Sequence, residues 1–487
     1  MRWLLSLCVA FITPLVWVGG ADAATTITLS PTSGAPGTSI VVSGSGFDAS
    51  ASVDVFLGTA DLALVTTSAT GTVSASIQIP ASAQPGTNWI TLDERRTHAA
   101  AQASFYVSAI WAQGGFGPSW RGDNPFENTI DTGNVDELSE SWGQQLDGLG
   151  NGKYPIFYAG NVFVEDLNKT VRAFSQAGKL LWTATAPGAS FVTPLPAVGA
   201  SSKVVFADAQ GNITAYNAQC RTDGGVCAPA WTKNIGVAVT AAPSTKSSLL
   251  YVPAADGLVH VLNASTGAAG TSIGGGSSGA VTAPVSFSPN GKPWIVQGDY
   301  EFNGQFGFFP SSALSGVAVV ADSLGFATEA NGRLDSIGGS GWSTTLGGTG
   351  CTPPRPVYAD SVVYAAGCTS LGAYDAGTGA ALWTIATSGP AAGLAVANGV
   401  LYACVGQALS AYAASYGGRL WSGDYCAAPP VVVNGVLYSA ASDLEAFSLT
   451  GARTAAVSHR GRPDPRHLRP TIRAPRSHGR VTAHSPR

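Results

Sequence analysis

Between residues 299 and 304 the chain reads Asp299-Tyr300-Glu301-Phe302-Asn303-Gly304. Asp299, Glu301 and Asn303 set oxygen-bearing side chains at alternate positions ahead of a glycine. A calcium loop begins this way, with hard oxygen ligands followed by a residue that permits a sharp turn. The bidentate glutamate that would complete the shell is missing, because Pro310 stands in its place. The segment is therefore an incomplete calcium candidate and reads first as a polar loop. Nearby, Trp294, Phe306, Phe308 and Phe309 offer aromatic faces that could stack on a sugar ring. Trp111 and Trp120 carry the same chemistry, but most other tryptophans recur at one repeat position and are expected in the core.

Other catalytic patterns are absent. There is no G-x-S-x-G elbow, no H-E-x-x-H and no phosphate-cradling glycine loop. Apart from the basic C-terminal stretch, the histidines are His98 and His260, the latter inside the alternating strand pattern GLVHVLN, where a packed or surface role is expected rather than that of a base. The adjacent carboxylates Glu165-Asp166 and Asp93-Glu94 would point to opposite faces of a strand and are expected to be solvated. Propeller glycosidases line a channel with carboxylates that are distant in sequence, so a carboxylate-dependent enzyme stays open.

The elements that would hold any site come from a repeat. A hydrophobic doublet, a turn, a second short strand and then Gly-x-x-Leu-Trp recur from about residue 155 to residue 453, clearest in SVVYAAGCTSLGAYDAGTGAALWT. Counting by the doublets gives Val162-Phe163, Val205-Phe206, Leu250-Tyr251, Trp294-Ile295, Gly325-Phe326, Val363-Tyr364, Leu401-Tyr402 and Leu437-Tyr438. A unit of this size cannot bury its apolar face alone, and units of short strands and tight turns stack into a propeller. Asn398-Gly399 and Asn434-Gly435 before doublets, and Asp256-Gly257 and Asn331-Gly332 after them, suit two-residue hairpin turns. The step into the fifth doublet is short, so seven or eight blades are expected, with eight favoured. The last copy lacks an outer Trp strand, whereas SESWGQQL around Trp142 has no blade of its own. The N-terminal piece is therefore expected to supply the outer strand of the last blade.

Composition agrees with an all-β, loop-rich chain: 487 residues, 11% charged, with 61 Gly and 29 Pro. Residues 1–24 read as a signal peptide: Arg2, an apolar run from Leu4 to Val18, and the small-x-small site Ala21-Asp22-Ala23. Once it is cleaved, no transmembrane segment is expected. Six cysteines remain in an oxidising compartment, with no C-x-x-C pair for zinc. Cys220 and Cys227 bracket a short insertion and are expected to close it. The start of strand one and the end of strand two share a rim in an antiparallel blade. That pairs Cys351 with Cys368 within a blade and Cys404 with Cys426 between neighbours.

Residues 25–107 alternate apolar and polar positions between Pro/Gly turns, as sandwich strands do. LSPTSGAPGTSIVVSGSGFDASASVDVFLG resembles the bacterial Ig-like modules of the IPT/TIG type, which implies a spacer domain. An entry segment follows at 108–141. Its order of Trp111, Arg121, Asn124-Pro125, Asn134, Leu138 and Trp142, together with the repeats in 142–453, resembles secreted PQQ-like (quinoprotein-like) propeller proteins. In large quinone-dependent alcohol dehydrogenases of that fold, the resemblance implies adjacent cysteines under the cofactor, a calcium held by carboxylate and amide, an Asp base and a stacking Trp. This chain has no Cys-Cys. Residues 454–487 are rich in Arg, Pro and His and are expected to be disordered.

These features lead to an expectation of a non-catalytic, exported binding or scaffold protein, secreted or cell-envelope associated. It would have no cofactor, no specific nucleic-acid partner, and a propeller face that binds a cell-surface glycan or an extracellular protein. The alternatives are a PQQ/calcium-dependent dehydrogenase or a carboxylate-dependent carbohydrate-active enzyme.

Overall fold

The computed structural model describes residues 24–146, 154–166, 170–185, 202–274, 279–297, 300–302, 307–308, 313–339 and 341–449. The expected signal peptide, apart from Ala24, and the basic tail lie outside them. No α-helix occurs among the described residues, only a 3-10 turn at Val135–Glu137, and no described helix could cross a membrane.

The N-terminal strands form two sheets. Thr26–Ser30, Ser39–Ser45 and Val73–Gln78 make one, and Ser33–Gly34, Ala100–Val107, Gly86–Glu94, Ser52–Leu57 and Ala60–Thr66 pair in that order in the other. The period-2 pattern buries one face of each sheet, so Ile40, Val42, Val53, Val55, Ile90, Leu92 and Phe105 share a core. Asn128 Nδ2 donates to the carbonyls of Ala81 and Ala83 in this unit, and Asn434, at a turn of the last sheet, holds the chain just after it. Asn434 Oδ1 accepts from the Ala109 N–H at 2.8 Å, and its Nδ2 donates to Ser108 Oγ and the Ala109 carbonyl.

Eight consecutive sheets follow among the described residues, and seven of the eight doublets fall in the second described strand of their own repeat, Val205-Phe206 falling in the first. Trp294-Ile295 lies in Pro293–Gln297, the second strand of a sheet of its own, despite the short spacing that follows. The Val205-Phe206 sheet has three described strands, Lys203–Ala207, Asn212–Asn217 and Trp231–Asn234, and residues 186–201 lie outside the described residues. The strand Leu138–Gln145 pairs antiparallel with Asp443–Leu449, so the N-terminal piece does complete the last sheet. Closure in this way leaves no open edge between the ends of the ring.

Tryptophan joins the sheets. Trp142 donates its indole N–H to the Gln176 carbonyl at 2.9 Å, Trp182 to Ala218 at 3.2 Å and Trp231 to Ala264 at 3.1 Å. Trp342 donates to Ala376 and Trp383 to Ala414, both at 2.9 Å, and Trp421 donates to Leu138 at 3.0 Å. Each bond runs to the next sheet around the ring. The rings also lie against turn glycines. A Cβ on Gly379 (φ +72°) would stand 2.5 Å from Trp342 Cε3, so only glycine fits under that indole.

The three disulfides are Cys220–Cys227, Cys351–Cys368 and Cys404–Cys426, as expected, and such bonds persist in oxidising compartments. The carboxylate pairs differ from expectation. Glu165 and Asp166 are 1% and 0% exposed, and Glu94 is 1% exposed. Asp166 is kept inside by the Thr170 N–H at 2.9 Å and by Arg172, whose Nε and Nη2 lie 3.1 and 3.0 Å from its Oδ2. Burial is tolerated because the charge is paired and hydrogen-bonded.

Candidate functional site

Residues 111–124 run along the first strands of seven of the eight sheets. Trp111 exchanges backbone hydrogen bonds with Phe157, and the Gln113 side chain accepts from the Thr245 N–H at 3.0 Å. The carbonyls of Pro118, Ser119, Arg121 and Gly122 then accept from Phe287, Val319, Tyr358 and Val396 in succession, and Asn124 Nδ2 donates to the Val432 carbonyl. Neighbouring first strands touch one another from Ser286–Phe287 through Leu314–Ala321, Val357–Ala359 and Ala391–Ala397 to Val431–Val433. These strands form the inner wall, and the entry segment is a strap wound around it. Asp123–Asn124 even adds to the seventh sheet as a short parallel strand. Beyond the strap, Glu127 pins the chain: its Oε1 accepts from Thr129 and Ile130, and its Oε2 accepts from the Gly435 N–H.

Against this strap lies a cavity of about 1050 Å³, of a size to hold a small ligand. Its walls come from Gly114, Gly115, Trp120 and Tyr154 on the strap side and from loops entering the third to eighth sheets, with Pro353, Pro354, Pro356, Pro390 and Ala392 among them. Gly114 and Gly115 are required here for space. A Cβ on the first would overlap the Tyr154 hydroxyl at 1.6 Å, and one on the second would meet Trp120 Cα at 2.4 Å.

Arg355 is the one charged residue among the described lining. Its guanidinium carbon stands 4.1 Å from the centre of the Trp120 ring, a cation–π geometry. Its Nε is buried with no hydrogen-bond partner, and among the described residues no carboxylate pairs with it. The residue keeps partial contact with solvent through the cavity, although its charged end is surrounded by protein. Burial lowers the guanidinium to about 10, offset only by the nearby Tyr154, whose own hydroxyl burial pushes upward.

The mounting of Arg355 is stiff. Pro354 and Pro356 flank it and restrict the backbone on both sides. Ser315 Oγ donates to the Pro353 carbonyl and Thr328 Oγ1 to the Pro354 carbonyl, the latter at 2.6 Å, while Cys351–Cys368 anchors the start of the loop. Trp120 is fixed in turn by its indole N–H, which donates to Ser244 Oγ at 3.2 Å.

Of the aromatic residues noted in the sequence, Trp120 lines this cavity; the calcium-loop residues, Trp294 and the Phe candidates are not among its described lining. Asp299, Asn303, Phe306 and Phe309 fall outside the described residues. Glu301 is in the strand Tyr300–Phe302 and Phe308 in Gly307–Phe308, and these two strands pair. Trp294 is 1% exposed and packs in the core with Val296, Val317 and Val319, so it turns no ring face to solvent. Among the described residues no group of three or more His, Cys, Asp or Glu side chains could hold a metal. His260 sits beside Asp256 at 3.0 Å. Arg355 was missed, although the run Pro353-Pro354-Arg355-Pro356, a charge among prolines in a charge-poor repeat, was a signal available in the sequence.

A quinone held through calcium does not suit the described lining. It offers no carboxylate for the metal, and a dication there would face the uncompensated charge of Arg355. Cys351, Cys404 and Cys426 reach the lining, but each is bonded to a cysteine distant in sequence.

Residues 136–226 and 330–462 match the family model described as outer membrane protein assembly factor BamB. Among solved structures, the quinohemoprotein alcohol dehydrogenase from Comamonas testosteroni aligns with a TM-score of 0.55 at 12% identity, covering 70% of this chain and 80% of that one. The quinohemoprotein alcohol dehydrogenase ADHIIG from Pseudomonas putida HK5 gives 0.53 at 13% identity, with the same coverages. The computationally designed Ika8 protein gives 0.51 at 16% identity, covering 63% of this chain and all of that one. None of the curated proteins compared matches the sequence. At these identities the structural likeness establishes the fold alone: a PQQ-like β-propeller.

Proposed function

We propose that this chain is an exported, non-catalytic binding scaffold of the cell envelope. In this reading residues 1–24 are a signal peptide, 25–107 an Ig-like spacer of the IPT/TIG type, and 142–453 an eight-bladed propeller that docks a protein partner on the face bearing the cavity. The observation that carries it is the strap. Residues 111–124 bond to seven of the eight sheets and hold the surrounding loops on a rigid frame, the arrangement in which binding residues concentrate. The match to an assembly-factor family model supports a protein as partner, and the disulfides support an oxidising compartment. The glycan alternative loses support because Trp294, one of its candidate stacking residues, is buried.

Site-specific photo-crosslinking in the native envelope tests this reading. A photoreactive residue replacing Ala392, at the cavity rim, should give a discrete protein adduct, and one replacing exposed Leu382 on an outer strand should not. Adducts of equal yield from both positions, or from neither, would overturn it.

A further inference from the structure

The cavity carries one positive charge and, among its described lining residues, nothing to neutralise it. A buried cation without a partner is costly, so a stable fold that keeps one in a ligand-sized space is matched to an anion that arrives from outside. The space, about 1050 Å³, lies at the upper end of the range for small-molecule sites. Its other walls are mainly proline, alanine, glycine and the Trp120 ring, which suit an apolar or ring-bearing body more than a strongly hydrated ion.

We propose that this cavity binds a small organic carboxylate, with the anion on Arg355 and the body of the ligand against the proline-rich wall beside Trp120. A single guanidinium balances a single negative charge, whereas a phosphate dianion would keep an uncompensated charge. The flat guanidinium fork matches the flat carboxylate in two parallel hydrogen bonds. Because the prolines, the Ser315 and Thr328 hydrogen bonds and the Cys351–Cys368 bridge already fix the loop, little ordering remains for the ligand to impose. This site goes beyond the scaffold reading and does not depend on it: a protein partner could dock on the rim with or without a small ligand beneath.

Calorimetric titration of the full mature chain tests the proposal with two acids and their neutral counterparts: D-glucuronate against D-glucose, and benzoate against benzyl alcohol. At least one acid should bind at least about ten-fold more tightly than its neutral partner, and which acid does so separates a sugar acid from an aromatic one. Arg355→Gln should weaken that binding about ten- to hundred-fold, the range for losing a charge-assisted pair, and Arg355→Lys should fall between. The melting transition of each variant checks that it folds. If Arg355→Gln does not fold, the wild-type comparison of acid with neutral analogue still decides. Equal affinity for acid and neutral analogue, no binding of either acid up to roughly ten millimolar, inorganic phosphate binding in their place, or undiminished binding by folded Arg355→Gln would overturn it. None of these outcomes depends on the rim cross-linking result.

Discussion

The indole N–H of Trp421 donates to the carbonyl of Leu138 at 3.0 Å, joining residues 283 positions apart. In most of the other joints the acceptor is the carbonyl of a residue that follows the third strand of the next sheet, such as Gln176, Ala376 or Ala414. In the last sheet the outer strand comes from the chain's beginning, and the residue after its third strand lies outside the described residues. Leu138, the first residue of that borrowed strand, is the acceptor there. The ring therefore closes through both a strand pairing and a tryptophan joint.

Trp421→Phe keeps a ring in place and removes only this donor. A loss of about 1 kcal/mol is expected. Trp421→Ala should cost about 3 kcal/mol, the low end for removing a tryptophan, because the residue is half-buried. Urea unfolding followed by circular dichroism checks both, and a neutral Trp421→Ala would mean that the joint contributes nothing to closure.

Gly379→Ala should destabilise by about 3 kcal/mol, since the added carbon meets Trp342 Cε3 at 2.5 Å and the backbone is left-handed at φ +72°. Gly160→Ala is the control. It has φ +78° with open space around the new carbon, so only the backbone cost of about 1 kcal/mol remains. Thermal melts of the pair separate ring packing from backbone strain.

Replacing Cys404 and Cys426 together by serine should cost about 2–4 kcal/mol, because the bridge closes a chain loop in the unfolded state and ties the seventh sheet to the eighth. Melting of the double variant beside the wild type measures it.

Glu445, on the strand that receives the N-terminal piece, has its carboxyl raised to about 7, first by burial and then by Asp424, Glu140 and Asp443. The folded state therefore holds this proton more tightly than the unfolded chain. The resulting stability is fully present below the ordinary glutamate value of 4.5 and is lost as pH rises through about 7. Asp123, raised to about 6 mainly by burial, acts with the same sign. Glu445→Gln should flatten part of the decline and stabilise the protein above pH 7, as urea midpoints near pH 5 and near pH 8 would show.

Much of the frame was legible because its signals are local. Val363-Tyr364 or Leu437-Tyr438 followed by a turn specifies a hairpin with no knowledge of the rest, and the missing outer strand after Leu437-Tyr438 left SESWGQQL as its one partner. The cysteines followed from the same register. The strap was not legible, because five of its seven contacts are made through the backbone of Trp111, Pro118, Ser119, Arg121 and Gly122, which any side chain would offer equally. Glu165-Asp166 misled because alternation speaks to the two faces of a strand, while both faces here are covered and Arg172 supplies the partner that burial needs. The role of Arg355 was not legible for a related reason: it rests on the lack of a carboxylate partner among the described residues, which spacing along the chain does not reveal.

Titrating the chain with pyrroloquinoline quinone and calcium, while following tryptophan fluorescence and dye reduction by alcohols and sugars, asks whether the propeller binds or turns over substrate. For a binding scaffold, no quinone- and calcium-dependent dye reduction is expected with any of these substrates. Saturable quenching accompanied by turnover would contradict that reading and make the chain a quinone-dependent dehydrogenase.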